Sequence, residues 1–570
     1  MSKSFTTDVL IVGGGPVGLT TAYSLARQSV SSMVAEQSNK DQLPMYGRAT
    51  TLFPRTLELL DQLDLLDPMT QIGFVARNSV TFKDGQRVTT RGYHQLFDGM
   101  GSTYLDYILN IRQKCSEEVI RGAYERMGGV HCTEWKLEGF DMDHECADEY
   151  RITSRVRDLS TGEVVVVKSK YIVGCDGGTS TVRHLANIPF EGESTAYKWV
   201  RLDGIFKTNM PDSDLGFASI ESKNHGNVLW VQLDHGAKRI GFAMSGDMLA
   251  KYGNEPCEED VKAEAVKAME PFSLVIEKVD WWTLYSIKQC IADTYISNGR
   301  VILAGDACHT HSSGAAQGMN TGIHDAVNLA WKLGGTIKGQ YSASSSILET
   351  YDSERRTAAQ RLIELDKAFS TAISGQIPAS HRGLYTDAHA LLTKLFDETV
   401  QFSLGLGVSY GLNVLHRVPT TGMVSAGHRA PDALVYPPGS LAVRMYSLLK
   451  NHGQWNVLIF AGEPSDTKAR LSVAVQKLDA FAASMTNEML RFVTIIGQNV
   501  SGGDKLFSIP RLGYMVFDKD QSAHLVYGIS PGRGAVAVLR PDAIFATAVA
   551  LDEVDGVIEF LGGLTGRECF

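Results

Sequence analysis

Asp8-Val9-Leu10-Ile11-Val12-Gly13-Gly14-Gly15-Pro16-Val17-Gly18 is the stretch on which the fold of this chain turns. The apolar run from Asp8 to Val12 predicts a buried strand, and Pro16 to Arg27 predicts the helix that follows. Glycines at 13, 15 and 18 permit a tight turn, close approach of backbone to a pyrophosphate, and close packing of helix on strand. The pyrophosphate would sit at the helix N-terminus, where unpaired N–H groups and the helix dipole favour an anion. A second short strand, Met33 to Ala35, ends at Glu36, about 20 residues on, where an acidic side chain accepts from a ribose hydroxyl. An acid there repels a 2′-phosphate, which fits FAD or NAD and disfavours NADP at this site. The spacing does not choose between those two.

Two further segments follow in order: Cys175-Asp176-Gly177 and Gly305-Asp306-Ala307-Cys308-His309. Arg300 to Ala304 reads as a buried strand ended by Gly305-Asp306, and Gly318 to Lys332 as a helix. A carboxylate at a strand's C-terminal edge, followed by glycine-rich chain entering a helix, suits a polyol and a negatively polarised ring. With these segments the chain resembles the FAD-dependent aromatic hydroxylases, the single-component flavoprotein monooxygenases, and within them the phenol hydroxylase branch. The matching stretches are Asp8–Glu36, Gly47-Arg48-Ala49 with Pro54-Arg55-Thr56-Leu57-Glu58, Tyr171–Arg183, Gly299–Lys332 and Arg540-Pro541-Asp542. They span essentially the full chain.

At 570 residues the chain is too long for one core, so two to four domains are expected. The fold class is α/β with an α+β substrate region. Residues 1–190 and 291–420 form a Rossmann-type FAD-binding domain, by resemblance of the p-hydroxybenzoate hydroxylase kind. Residues 191–290 alternate in Phe217–Glu221, Asn227–Leu233 and Arg239–Met244, which predicts an antiparallel sheet able to floor an apolar pocket. Ile347 to Phe369 has helical periodicity. After a boundary near Thr420 to Gly427, residues 425–570 interleave strands and helices, with a final helical stretch expected over Ala543–Phe560. By resemblance this is a thioredoxin-like C-terminal domain. It carries only Cys569, and disulfide exchange needs two thiols, so it is assigned packing or dimer assembly.

Charged residues at 21% and hydrophobic ones at 44% are ordinary for a soluble globular protein. A net charge of −10 argues against a nucleic-acid surface. No apolar run approaches the ~18 residues that span a bilayer, and the N-terminus enters a strand directly, so a cytoplasmic protein without a membrane partner is expected. The 8 cysteines form no C-x-x-C pair and no metal-ligand spacing; they read as reduced thiols, with Cys308 in the core and no metal bound. His309 and His311 read as structural hydrogen-bonding groups, and Trp281 and Trp282 as packing.

The resemblance implies FAD as cofactor, NADPH or NADH as transient electron donor, O2 and a small phenolic substrate as partners, and a homodimer. In the family a flavin hydroperoxide delivers one oxygen atom to an electron-rich ring, with decarboxylation or dearomatisation where the attacked carbon is substituted. Carried over, Gly13, Gly15, Pro16, Gly18, Glu36 and Gln37 would hold the adenosine and pyrophosphate. Arg48 and Gln113 would contact the phosphates and ribityl chain, and Asp306 the ribityl hydroxyls. Gly318, Met319 and Asn320 would lie along the isoalloxazine. Asp176 and Arg183 would serve FAD and the nicotinamide nucleotide, although Asp is also the residue type that caps a turn. Tyr285, in Trp281–Gln289, would hydrogen-bond the phenolic oxygen.

Three departures stand out. Ala49-Thr50-Thr51 replaces the family's Ala-Asp-Gly, Lys288-Gln289-Cys290 its Gly-Gln-Arg, and Ser313 its proline. They suggest a bulkier or carboxylated phenol, with Lys288 as partner of an acid or phenolate. An FAD oxidase or reductase on the same scaffold, and a non-catalytic flavin-binding protein, are the alternatives. A halogenase is disfavoured because Trp281-Trp282-Thr283 does not supply the Trp-x-Trp-x-x-Pro signature.

Overall fold

The computed structural model describes residues 3–566 except 91, 146–147, 254, 313, 315, 486–488 and 498–507, so Ser313 and Cys569 lie outside the described residues. The opening stretch folds as read. Strand Ser4–Val12 leads into helix Pro16–Ala26 and strand Ser32–Glu36. Val9, Leu10 and Ile11 are fully buried, as a strand covered on both faces requires. Around it a parallel sheet runs in the order Val301–Leu303, Val164–Gly174, Ser4–Val12, Ser32–Glu36, Val130–Thr133. Strands Ile152–Asp158 and Trp135–Met142 branch from it antiparallel.

The glycines act where the turn needs them. Gly13 has φ +103°, and a Cβ there would lie 2.4 Å from the Cys175 carbonyl oxygen. A Cβ on Gly18 would lie 2.0 Å from the Gly13 carbonyl oxygen. Helix, first strand and the Cys175-Asp176-Gly177 segment therefore approach as closely as backbone allows.

A second sheet stands against the first. Its long strands Phe190–Thr208 and Leu274–Ala292 pair antiparallel, followed outward by Lys238–Met244, Gly226–Gln232 and Gly216–Ser222. On the other edge His309–Thr310 pairs with Cys290 and Ile291, which ties the Gly305–His309 segment into this sheet. Helix Gln317–Ile337 packs on helix Pro16–Ala26 and helix Thr350–Ile373 on strand Leu274–Ala292, the first buried almost throughout.

The C-terminal sheet runs Tyr514–Phe517, Leu490–Ile496, Trp455–Gly462, Ala535–Leu539, Phe545–Ala550. Helix Pro464–Ala483 connects the parallel pair, and the last two strands are antiparallel. The helix expected over Ala543–Phe560 is corrected here. Its first half is strand Phe545–Ala550, and helix Asp555–Thr565 starts later. A tight reversal at Arg540–Ile544, with Ala543 at φ +55°, returns the chain onto Ala535–Leu539, and sheet pairing outweighs the helix propensity of the alanines.

That reversal inserts Arg540 and Asp542 into the first part of the molecule. Arg540 donates to both oxygens of Glu354 (2.7 and 3.1 Å) and to Asp542, while Lys332 reaches the same Glu354 carboxylate at 2.8 Å. Burial alone would raise the Glu354 carboxyl, but Arg540 and Lys332 outweigh it and hold it well below the usual carboxylate range. His416 Nε2 lies 3.1 Å from Arg540 Nη1, and burial, with that guanidinium, pushes the imidazole down to about 4. Among the described residues no helix is long and apolar enough to cross a membrane.

A depressed histidine binds its proton more weakly when folded, so stability should be lost as pH falls from about 6.5, the free value, to about 4. Denaturant titrations across that window should show His416→Gln losing roughly 3 kcal/mol less than the parent chain. An identical pH dependence in the variant would contradict the assignment.

Candidate active site

A cavity of about 250 Å³ opens where the C-terminal edge of the parallel sheet faces the second sheet. One wall is the start of the first helix, Gly15 to Val17, with Gln113 beside it. The opposite wall comes from Asp306 and from Gly318 and Met319 in the first turn of helix Gln317–Ile337. Arg48, Ala49 and Thr50 close one side, and Arg201, Leu229 and Arg239 of the second sheet form the floor. A Cβ on Gly318 would meet nothing within 4 Å, and one on Gly15 only Glu117 Oε1 at 4.0 Å. The two helix N-termini thus face open space with bare backbone, which fits a dinucleotide lying between them.

The predicted residues divide. Gly15, Pro16, Arg48, Gln113, Asp306, Gly318 and Met319 line this cavity. Arg48 and Asp306, far apart in sequence, come within 4.0 Å of each other. Glu36 is buried at the strand end, where its carboxylate accepts from the N–H groups of Gly14 and Ser38 (both 2.8 Å) and Lys40 Nζ stands 3.7 Å away. Gln37 is exposed beside it. Tyr285 lies just behind the floor, with the Arg48 guanidinium 5.1 Å and that of Arg201 6.0 Å from its ring centre. Burial raises its hydroxyl above the ordinary phenol value, so it stays protonated at neutral pH.

Three further predicted residues make contacts outside the cavity lining, and a fourth is exposed. Asp176 caps helix Thr181–Leu185, accepting from Ser180 Oγ and from the N–H groups of Thr181 (2.6 Å) and Val182 (3.1 Å). Arg183 is buried, donates to the carbonyls of Ala307 (2.7 Å) and Gly178 (2.8 Å), and stacks on Phe190. It ties the Asp-Gly segment to the Gly-Asp segment. Asn320 accepts from Phe53 N–H and Thr56 Oγ1 and donates to the carbonyls of Thr51 and Ala316. Lys288 is exposed and is not among the residues that line the cavity.

His309 Nε2 donates to Asp325 Oδ2 at 2.7 Å, the second Asp325 oxygen accepts from Arg355 (2.6 Å), and Gly305 N–H also donates to Asp325 (3.2 Å). Cys308 is fully buried. Its thiol, His309 and Asp325 lie close enough to share an ion, but Arg355 already balances the carboxylate. The residues missed by sequence reasoning are Arg201 and Arg239 on the floor, Asp203, which pairs with Arg239, and Asp366, which accepts from Ser312 N–H and Gln289 Nε2 (both 2.7 Å). Their signal was available: Arg201 and Asp203 sit two apart, on one face of the otherwise apolar run Trp199–Phe206.

Residues 6–366 match the family model for the FAD binding domain, and residues 416–568 that for the phenol hydroxylase C-terminal dimerisation domain. The chain belongs to the FAD-dependent aromatic hydroxylases. It is 28% identical to a 3-hydroxybenzoate 4-monooxygenase of Comamonas testosteroni, covering 96% of this chain and 93% of the relative. It is 26% identical to a phenol 2-monooxygenase of Aspergillus fumigatus, covering 98% and 96%. Among solved structures, the flavin-dependent monooxygenase PieE with FAD and substrate superimposes with a TM-score of 0.76 at 18% identity, covering 99% of this chain and all of the other. Aklavinone-11 hydroxylase with FAD and aklavinone gives 0.73 at 21%, covering 98% and 99%. This hydroxylase is therefore an FAD enzyme and an aromatic monooxygenase of the phenol type.

The cap at Asp176 carries a consequence. Asp176→Ala should cost about 1–2 kcal/mol in denaturant unfolding, the usual loss for a removed cap, and leave FAD affinity within twofold. A large loss of FAD binding without loss of stability would return Asp176 to the cofactor.

Proposed function

We propose that this hydroxylase inserts one oxygen atom of O2 into a C–H bond of a small phenolic ring and releases the other as water, with NADPH or NADH as hydride donor. The observation that carries this reading is the convergence of two open helix N-termini, Arg48 and Asp306 on one cavity backed by Tyr285. Bound FAD supplies the electron relay and the oxygen activation.

The chain's own residues bind, orient and exclude water. Gly15 would offer bare backbone to a pyrophosphate, Pro16 sets the first helical turn behind it, and Gly13 and Gly18 give the close packing that holds that turn in place. Glu36 has two hydrogen bonds from backbone, which leaves acceptor sites on its carboxylate for ribose hydroxyls, with Gln37 at the rim. Arg48 and Gln113 would hold phosphate and ribityl oxygens, and Asp306 the ribityl hydroxyls. Gly318 and Met319 would present N–H groups and the positive end of a long helix to a ring that becomes anionic on reduction. Asn320 would act behind them by fixing that helix to the 51–56 segment.

Tyr285, kept neutral by burial, would accept the substrate's phenolic proton in a hydrogen bond or donate one, and so orient the ring carbon to be attacked. A neutral tyrosine is not a strong base, so ring activation rests on hydrogen bonding and on the positive field of Arg48 and Arg201. We further read residues 425–570 as a thioredoxin-like unit through which two copies assemble; the parallel pair followed by an antiparallel pair supports the first part and the dimerisation-domain match the second. Decarboxylation would accompany hydroxylation only where the attacked carbon bears a carboxyl group.

The test is anaerobic reduction of the bound flavin by NADPH and NADH, with and without a panel of phenols and phenolic acids, followed by exposure to O2 and product analysis. Reduction accelerated by one phenol, and a product heavier by one oxygen atom, is expected. Reduction by neither nucleotide with any phenol would overturn the reading. Tyr285→Phe should lower kcat on that phenol by about 10²-fold and leave the reduction rate nearly unchanged.

A further inference from the structure

The loop Gly47–Thr50 is held from two sides, and the second side belongs to another sheet. Ile111 N–H donates to the Thr50 carbonyl (2.7 Å) and Gln113 N–H to that of Ala49 (3.0 Å), both from the FAD-binding part. The Arg48 carbonyl instead accepts from Arg239 Nη1, the Thr50 hydroxyl lies 3.2 Å from the same nitrogen, and the Gly47 carbonyl 3.5 Å from Nη2. Arg239 comes from strand Lys238–Met244 of the second sheet. Its register partner across the sheet is Asp203, which it grips with Nε–Oδ1 at 2.6 Å and Nη2–Oδ2 at 2.8 Å. Trp281, the partner of Asp203 on its other side, stands 5.6 Å from the guanidinium.

Arg239 and Asp203 are 2% and 1% exposed. A pair so buried is costly to build and adds little net stability over apolar residues of the same size. Its geometry does something more specific: the fork that holds Asp203 has donors left over, and they go to Gly47, Arg48 and Thr50. Gly47 lies at φ +96° against Gln113, where any Cβ would stand 2.6 Å from that side chain, so the loop needs glycine at this point.

We propose that Arg239 is a positioning residue for cofactor binding: anchored by Asp203, it fixes the Arg48 backbone so that the Arg48 guanidinium stands between Asp306 and the Tyr285 ring. The loop that carries the family's aspartate has Thr50 here, and Thr50 is one of the atoms Arg239 holds. Substrate floor and cofactor wall are thereby one unit: a movement of strand Lys238–Met244 is passed to Arg48. This inference rests on the reading of Arg48 as an FAD contact.

The test is a double-mutant cycle read as FAD affinity, by titrating the full chain stripped of FAD and following flavin fluorescence. Arg239→Lys keeps a charge beside Asp203 and loses the fork. It should weaken FAD binding about tenfold in the parent chain and less than twofold in an Arg48→Ala background. Equal losses in the two backgrounds, or no loss from Arg239→Lys while Arg48→Ala weakens binding, would overturn the proposal and leave the Arg48 assignment standing. No effect of Arg48→Ala would remove both. Thr50→Val, which leaves the Arg239–Asp203 pair intact, serves if Arg239→Lys does not fold. It should cost about two- to threefold, again only when Arg48 is present.

Discussion

Glu354 and Arg355, neighbours on one helix, hold the molecule together in two directions. Glu354 takes Arg540 from the C-terminal sheet and Lys332 from the helix that begins at the cavity. Arg355 takes Asp325, and through it the Gly305 N–H and His309 of the segment that presents Asp306. Tyr410 joins the halves, its hydroxyl accepting from Arg355 and its ring facing the Arg540 guanidinium at 5.2 Å. Each charge is buried, so each is tolerable only with its partner present, and removal of one strands the others. The requirement reaches from the C-terminal reversal to the cavity wall without a break.

The same logic shapes the cavity floor, where Arg239 and Asp203 neutralise each other and Arg201 is buried against the rings of Trp199 and Tyr285. Burial is the largest cause lowering the Arg201 guanidinium. The floor is thus apolar in its bulk and positive in its field, a setting that favours an electron-rich ring over a cationic one.

Much of this was legible in local sequence. The strand, glycine turn and helix, and the strand that ends at Glu36, form as read because their constraints are short-range: a positive φ at Gly13, a bare contact at Gly18, a proline at the first helical position. The alternating strands of the second sheet were equally plain. What local sequence did not show is non-local. Asp176 caps the helix start five residues on, and Lys288 stands exposed outside the cavity lining. Ala543–Phe560 looked helical because alanine favours a helix, until the reversal at Arg540 delivered it to a waiting edge strand.

The sequence by itself determined the strand, glycine turn, helix and strand of the first 36 residues and the strand end at which Asp306 stands, since both follow from spacing within single elements. Only the tertiary structure decided which charges meet: Arg48 with Asp306, Arg239 with Asp203 and the 47–50 loop, Arg540 with Glu354. A buried ion pair is chosen by distance in space and by the absence of water around it, and neither quantity is written along the chain.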